Sequence, residues 1–480
     1  MRNDLRIGSV MLWIAALYAV VLSIGLYFEN YYVAAFPLIL LLGWVILKFP
    51  GFILLAVSVS TPLSLNIVEF YDLPVDLSIP SEPMLIALML LFVFLILGGF
   101  NLFRIRLDHA ILKLVMLQLL WMLLCVIFSE MPLVSLKYVI ARLWFVLPCL
   151  FFAVNVFRNL KVFYSYATLF IFSCCVVVVY TIVRHSGYGF DKDSAHWVME
   201  PLFRDHTVYG AVLALILPVN IGLLFIRGLQ PATRFFLRMS AVILVLGIIF
   251  SYTRAAWISL AVGLFVFLII YLRVNLRLIA FASIILSGIL ILSWDSILIS
   301  LEKNKQESSD KLEEHVGSIS NVTSDASNLE RINRWHCAWQ MFLDKPLTGW
   351  GPGTYQFVYA PFQLAKDRTI ISTNQGDGGN AHSEYLGPLC EQGIFGFLGV
   401  LALVVITTLT ALRLYNTLED ADTRIIMISC YIGLVTYFTH GVLNNYLDTD
   451  KASVPFWGFL AVIISADLYA TKRRKVHIRI

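Results

Sequence analysis

The feature that most constrains this chain is a succession of long apolar runs with almost no charge. They lie near 8–27, 32–48, 50–66, 84–103, 109–129, 138–156, 162–183, 207–226, 235–251, 255–272, 278–297, 392–412, 424–445 and 454–471. Each has about the length a helix needs to cross the hydrocarbon core of a bilayer while satisfying its own backbone hydrogen bonds. The pattern predicts an all-α polytopic membrane protein with about 12–14 transmembrane helices, the third run being short and flanked by Pro50 and Pro62. Hydrophobic residues make up 59% of the chain, charged residues 14%, and the mean hydropathy is +0.81. These values exclude a soluble globular enzyme and a disordered chain. The runs are continuous rather than alternating, which argues against an outer-membrane barrel. The net charge of +4 is spread over 480 residues and points to no nucleic-acid partner.

Basic residues orient the spans. With Arg2 and Arg6 on the cytoplasmic side, the inner connections carry Lys48, Arg104, Arg106, Arg158, Lys161, Arg227, Arg234, Arg238, Arg273, Arg277, Arg413 and Arg424, and the tail adds Lys472, Arg473, Arg474, Lys475 and Arg479. The short outer connections are poor in Lys and Arg, and the one around 67–83 is acidic, with Glu69, Asp72, Asp76 and Glu82. Both termini are therefore expected inside. The first run has no clear small-residue cleavage site and reads as a retained span. The basic tail reads as an orientation anchor, with contact to anionic lipid as the alternative.

Two long segments then face outward, 184–206 and 298–391. The stretch from Glu302 to Glu330 is rich in Lys, Glu, Ser, Asp and Asn and reads as a frayed helix followed by a flexible stretch. It includes the short glycosylation pattern Asn321-Val-Thr323. Asn328 to Phe342 reads as an amphipathic helix, capped by Asn328, with Trp335, Trp339 and Phe342 at helical spacing. Gly349-Trp-Gly-Pro-Gly353 reads as a tight turn, and a second loop ends at Gly376-Asp-Gly-Gly379, before a span beginning near Gly393. Cys337 and Cys390 lie in or beside this polar segment, where pairing is the minority reading; the other five cysteines sit in apolar runs as small hydrophobes. No internal repeat is evident, which counts against a transporter built from duplicated halves.

Charge at the edge of a span is costly and tends to be functional. Arg254, in Thr253-Arg-Ala-Ala-Trp257, lies at a very short outer junction; Arg204 lies just before the span at 207–226; Arg331 lies on the loop helix, sharing a face with Trp335. Three outward guanidiniums suit a diphosphate, since each grips phosphate oxygens with paired N–H donors. The alternative is snorkelling or local ion pairing at the interface. Arg142, inside the sixth run, either faces a cavity or helps hold such an anion. His382, in Asn380-Ala-His-Ser-Glu-Tyr385, is a candidate general base for a hydroxyl, with Glu384 to orient it or share its role. A packed loop histidine is the plainer reading, and His440 has the same ambiguity. Asp448-Thr-Asp450 and Asp191-Lys-Asp193 have the Asp-x-Asp form of some divalent-ion sites, a weak signal that leaves no metal expected. Phosphate-loop, dinucleotide and Gly-x-Ser-x-Gly patterns do not occur.

Taken together, Arg331-Ile-Asn-Arg-Trp335, Pro346-Leu-Thr-Gly-Trp-Gly351, His382 followed ten residues later by Gly393, and the Thr253–Trp257 motif resemble the O-antigen ligase family, which shares a core domain with O-antigen polymerases and some protein O-oligosaccharyltransferases. The resemblance is strongest over roughly 205–415. It divides the chain into an N-terminal transmembrane bundle (1–206), a ligase/polymerase core (207–415) holding the large loop 298–391, and C-terminal helices with a basic tail (416–480).

It implies a multi-pass protein of the bacterial inner membrane, with a large helical periplasmic loop over a membrane-face cavity. The implied reaction is an inverting, metal-independent glycosyl transfer from an undecaprenyl pyrophosphate-linked glycan to lipid A–core or a growing glycan acceptor, with no cofactor. Carried onto this chain, Arg254 and Arg331 bind the pyrophosphate, Arg204 is a third donor to it, and His382 is the base. Ile258 stands where ligases commonly show Leu, and fourteen spans exceed the usual twelve. Ligase is the first reading; polymerase and protein glycosylation share its chemistry. A transporter of polysaccharide or lipid-linked glycan is the alternative from another class.

Overall fold

The computed structural model describes residues 50–66, 77–99, 107–274, 326–364 and 379–470, with Tyr18, Leu22 and Ser23. The runs at 8–27 (apart from those three residues), 32–48 and 278–297 lie outside the described residues. So do the acidic stretch at 69–76, most of 302–330, the Asn321 pattern, Gly376 to Gly378 and the basic tail. Two compact units are present, Met1–Leu54 and Leu55–Ile480.

The protein is an all-α polytopic membrane protein. In chain order the described elements are α1 (Pro50–Ser60), β1 (Leu65–Asn66), β2 (Ser78–Ile79), α2 (Ser81–Leu97), α3 (Ala110–Ile127), α4 (Pro132–Val146), α5 (Ala153–Val156), α6 (Leu160–Ser186), α7 (His206–Leu224), α8 (Pro231–Phe250), α9 (Arg254–Tyr271), α10 (Ala326–Asp344), α11 (Tyr355–Val358), α12 (Leu386–Thr417), α13 (Ala421–His440) and α14 (Asp450–Ser465). The two short strands pair antiparallel, Leu65 with Ile79 and Asn66 with Ser78. Nine helices among the described residues are long and apolar enough to cross a membrane, α4 and α5 counting as one through the turn at 147–152. They correspond to nine of the expected runs, while those at 50–66 and 84–103 form the shorter helices α1 and α2.

Local signals set the helix starts. Asp205 caps α7 by accepting from Thr207 N and Val208 N, Asn159 caps α6 through Lys161 N, and Asp420 caps α13 through Thr423 N. Proline opens α4 and α8. α13 packs against α7, α9 and α14, and α14 is buried along nearly its whole length. Small residues make this close approach possible, as expected where lipid supplies no hydrophobic drive between helices. A Cβ on Gly222 of α7 would lie 1.8 Å from Ser429 Oγ on α13. At the far end, His109, Arg413 and Asp467 join α3, α12 and the end of the last span, His109 Nε2 lying 3.0 Å from Asp467 Oδ2.

The α7–α13 contact gives a stability test. Gly222→Ala is expected to destabilise the detergent-solubilised protein by about 1–3 kcal/mol through overpacking, seen as a lower thermal midpoint. Ser429→Gly should recover part of that loss in the double variant. Equal losses with and without Ser429 would refute the contact.

Candidate active site

The site is built around a break in α12. Gly393 has φ 69° and ψ −164°, so the helix that starts at Leu386 stops there and restarts at a new angle. A Cβ at Gly393 would sit 2.1 Å from the Leu347 carbonyl oxygen, which leaves room only for glycine. A broken helix frees backbone carbonyls that must find partners when buried. Trp350 N donates to Cys390 O (3.0 Å), Gly351 N to Glu391 O (2.9 Å) and Trp121 Nε1 of α3 to Gln392 O (2.9 Å). In return Ile394 N donates to Pro346 O (2.9 Å). The tight turn expected at 349–353 is therefore the other half of this joint. Its glycines all have positive φ, and Gly351 lies where a Cβ would meet Ser129 Oγ at 2.1 Å.

The loop helix α10 lies against α12. It begins two residues before Asn328, the expected cap. Its buried stripe is Glu330, Asn333, Arg334, Cys337, Ala338 and Met341, whereas Trp339 is exposed. The face predicted from Trp335, Trp339 and Phe342 is thus not the one that packs. Polar residues take the inner face because they are paired there: Arg334 Nε donates to Glu330 Oε1 (2.8 Å), Asn333 Nδ2 to Gln363 Oε1 (3.1 Å) and Tyr355 O–H to Arg334 O (2.8 Å). Cys337 and Cys390 share this core as free thiols.

His382 sits on the strap leading into α12, with φ 47°. Its N–H donates to Asn380 Oδ1 (3.0 Å), Trp335 Nε1 donates to its carbonyl (3.4 Å), and Arg334 Nη1 fixes the strap through Asn380 O (3.2 Å). Burial, then the Arg334 and Arg331 guanidiniums, push the imidazole down to about 4, so it is neutral at pH 7. Glu384, two residues on, faces different partners. Its Oε1 accepts from Tyr437 O–H (2.6 Å), Tyr446 N (2.8 Å) and Leu447 N (2.9 Å), all on α13 or the connection after it. Arg142 grips the same connection from α4: Nη1 donates to Leu447 O (2.8 Å) and Nη2 to Tyr138 Oη (2.7 Å). Leu447 is held at both its backbone N–H and its backbone carbonyl.

That grip presents Asp448 to a cavity of about 1020 Å³ lined by α3, α4, α12, the strap and the 441–451 connection. Asp448 lies deep in the fold yet opens onto the cavity, and burial with the nearby Glu384 carboxylate pushes it up to about 6 against the pull of Arg142. Its companion Asp450 is committed elsewhere, accepting from Ser64 Oγ and Ser81 Oγ, and Lys451 Nζ donates to Thr61 O and Ser64 O. Asp191, of the other Asp-x-Asp triplet, is bonded to Ser194 in a turn.

Of the three expected arginines, Arg204 lines the cavity, while Arg254 and Arg331 do not. Arg254 opens α9, and Thr253 Oγ1 ties that turn to His206 O (2.8 Å) at the start of α7. Arg331 acts electrostatically on His206, His382 and His440 together.

Residues 239–401 match the family model described as O-antigen ligase. The matched stretch holds Arg254, Arg331, His382, Glu384 and the Gly393 joint. Arg204, Arg142 and Asp448 lie outside it. No curated protein matches the chain. Sequence reasoning noticed Arg142 as a charge inside a span, and Asp448 only as half of a metal triplet. It passed over Lys137 and Arg334, although Glu330 four residues before Arg334 is a helical pairing signal.

Because Glu384 holds two backbone N–H groups and a phenol, Glu384→Ala is expected to cost about 2 kcal/mol or more of stability. His382→Ala should leave the thermal midpoint nearly unchanged. Equal midpoints for the two variants would refute the structural part given to Glu384.

Proposed function

We propose that this protein moves a glycan from undecaprenyl pyrophosphate to an acceptor hydroxyl at the periplasmic face of the bacterial inner membrane, most directly as an O-antigen ligase acting on lipid A–core. The family is one of ligase- or polymerase-type membrane glycosyltransferases. The observation that carries the reading is His382 set near Arg334 and Arg331, on a strap whose Ala381 and Ser383 line a cavity with both polar and apolar walls.

In this mechanism His382 takes the proton of the acceptor hydroxyl. The acceptor oxygen attacks the anomeric carbon from the face opposite the phosphate, the bond from that carbon to the phosphate oxygen breaks, and configuration inverts. Undecaprenyl pyrophosphate leaves with one more negative charge, and Arg254, Arg331 and Arg204 stabilise it. Glu384 is a positioning residue, holding the 441–449 connection against the strap. The donor carries its own activation, so no nucleotide is consumed.

Deletion of the gene should remove glycan from the acceptor while long chains persist on the lipid carrier. Complementation with His382→Ala should fail, although the protein inserts normally. A single repeat unit left on the acceptor would mean a polymerase, and an unchanged polysaccharide profile would turn the reading toward a transporter. Full complementation by His382→Ala would remove the proposed base.

The pH profile tests the base independently. A base with a lowered pKa stays competent as pH falls, until its own pKa is reached. The acid limb of kcat/KM should therefore lie near pH 4, well below the ordinary histidine value of about 6.5. A limb near 6 that disappears in Asp448→Asn would transfer the role to Asp448.

A further inference from the structure

The cavity wall carries four cations, and three have structural or mouth-side engagements. Arg142 is bound to Leu447 O and Tyr138 Oη, Lys451 to backbone carbonyls of the 61–64 turn, and Arg204 belongs to the segment before α7. Lys137 is different. It projects from α4, five residues into a membrane-spanning helix and about 8 Å along its axis. It is exposed to the cavity and makes no hydrogen bond or ion pair among the described residues.

The cavity it lines is mixed, with Glu384, Glu391 and Asp448 on its polar part and an apolar part as well. Val134 and Ala141 flank it on α4, and Leu119 and Met122 of α3 with Leu403 of α12 line the same space. Lys137 forms no ion pair with these carboxylates among the described residues, and an intramembrane cation without a direct partner is costly and marks a ligand path. An ammonium is a compact charge with three donors, suited to a single phosphate group. An acid on a free glycan would have no use for the apolar walls beyond Lys137. An amphipathic anion would use both.

We propose that Lys137 binds the lipid-proximal phosphate of a polyprenyl pyrophosphate, with the polyprenyl tail running along α3 and α12. This rests on the donor reading above and extends it with a residue outside the family match. It also divides the labour: Lys137 holds the membrane-side phosphate, while Arg204, on the wall of the same cavity, meets the sugar-side phosphate. Lys137 is a binding residue that remains on the leaving group after transfer.

The test is equilibrium binding to the full-length detergent-solubilised protein, using undecaprenyl pyrophosphate, undecaprenyl monophosphate and undecaprenol as probes. Wild type should bind both phosphates more tightly than the alcohol. Lys137→Gln should weaken both phosphates roughly tenfold or more, the worth of a charge-assisted hydrogen bond. Lys137→Arg should keep most of the affinity, and undecaprenol should bind all three proteins alike. Wild type that does not prefer pyrophosphate over the alcohol would sink the donor reading itself. Wild type that does prefer it, with Lys137→Gln binding equally well, would overturn only the part given to Lys137, leaving a solvated side chain. Weaker undecaprenol binding in Lys137→Gln would also overturn it, because the effect would then be one of packing.

Discussion

The arrangement around the candidate site depends on the exchange of backbone hydrogen bonds across the break at Gly393. Interrupting a helix beside a membrane exposes carbonyls where water is scarce, and each must be answered. Here the answer comes from Trp350 N and Gly351 N in the turn and from Trp121 Nε1 on α3. Because one donor belongs to the loop and another to a membrane helix, the joint fixes the loop relative to the bundle. It also fixes the direction of Leu386–Gln392, and with it the strap that carries His382 and Glu384.

A second constraint is the double grip on the backbone of Leu447. Glu384 and Arg142 come from elements far apart in the chain, yet they hold the two successive peptide groups on either side of Leu447. The result is a connection held rigidly enough to aim Asp448 into the cavity. The carboxylates near Arg142 also neutralise it, which explains why Arg142 serves the architecture while Lys137 keeps an open face.

Much of the fold was legible in the sequence. Hydropathy marks the spans because lipid tolerates so few charges, and nine of the expected runs are the nine long helices. The letters of the family motif were also visible, but not what most of them do: Pro346, Gly349, Gly351 and Gly393 close a joint, and only geometry reveals its two halves. The face of α10 was misread because periodicity counts apolar residues and is blind to polar ones whose partners are already inside, as with Glu330–Arg334 and Asn333–Gln363. Glu384 looked like a companion of His382 because the two are neighbours in the chain, whereas its partners lie beyond the following span. Lys137 gave no sequence signal, since a lysine near a span end reads as an interface anchor until the cavity is seen.

The electrostatics of His382 bear on when it acts. Burial first, then Arg334 and Arg331, holds it neutral, and in the proposed mechanism Arg331 also receives the pyrophosphate. An empty site therefore contains a weak base that is deprotonated at neutral pH. Once a pyrophosphate lies against Arg331, its negative charge offsets the guanidinium, and the imidazolium that forms as the proton transfers becomes less costly. The base strengthens when the donor is in place, and the charge that develops on the leaving group favours the proton staying on His382. In the proposed mechanism donor binding and proton transfer are then coupled through the same arginine.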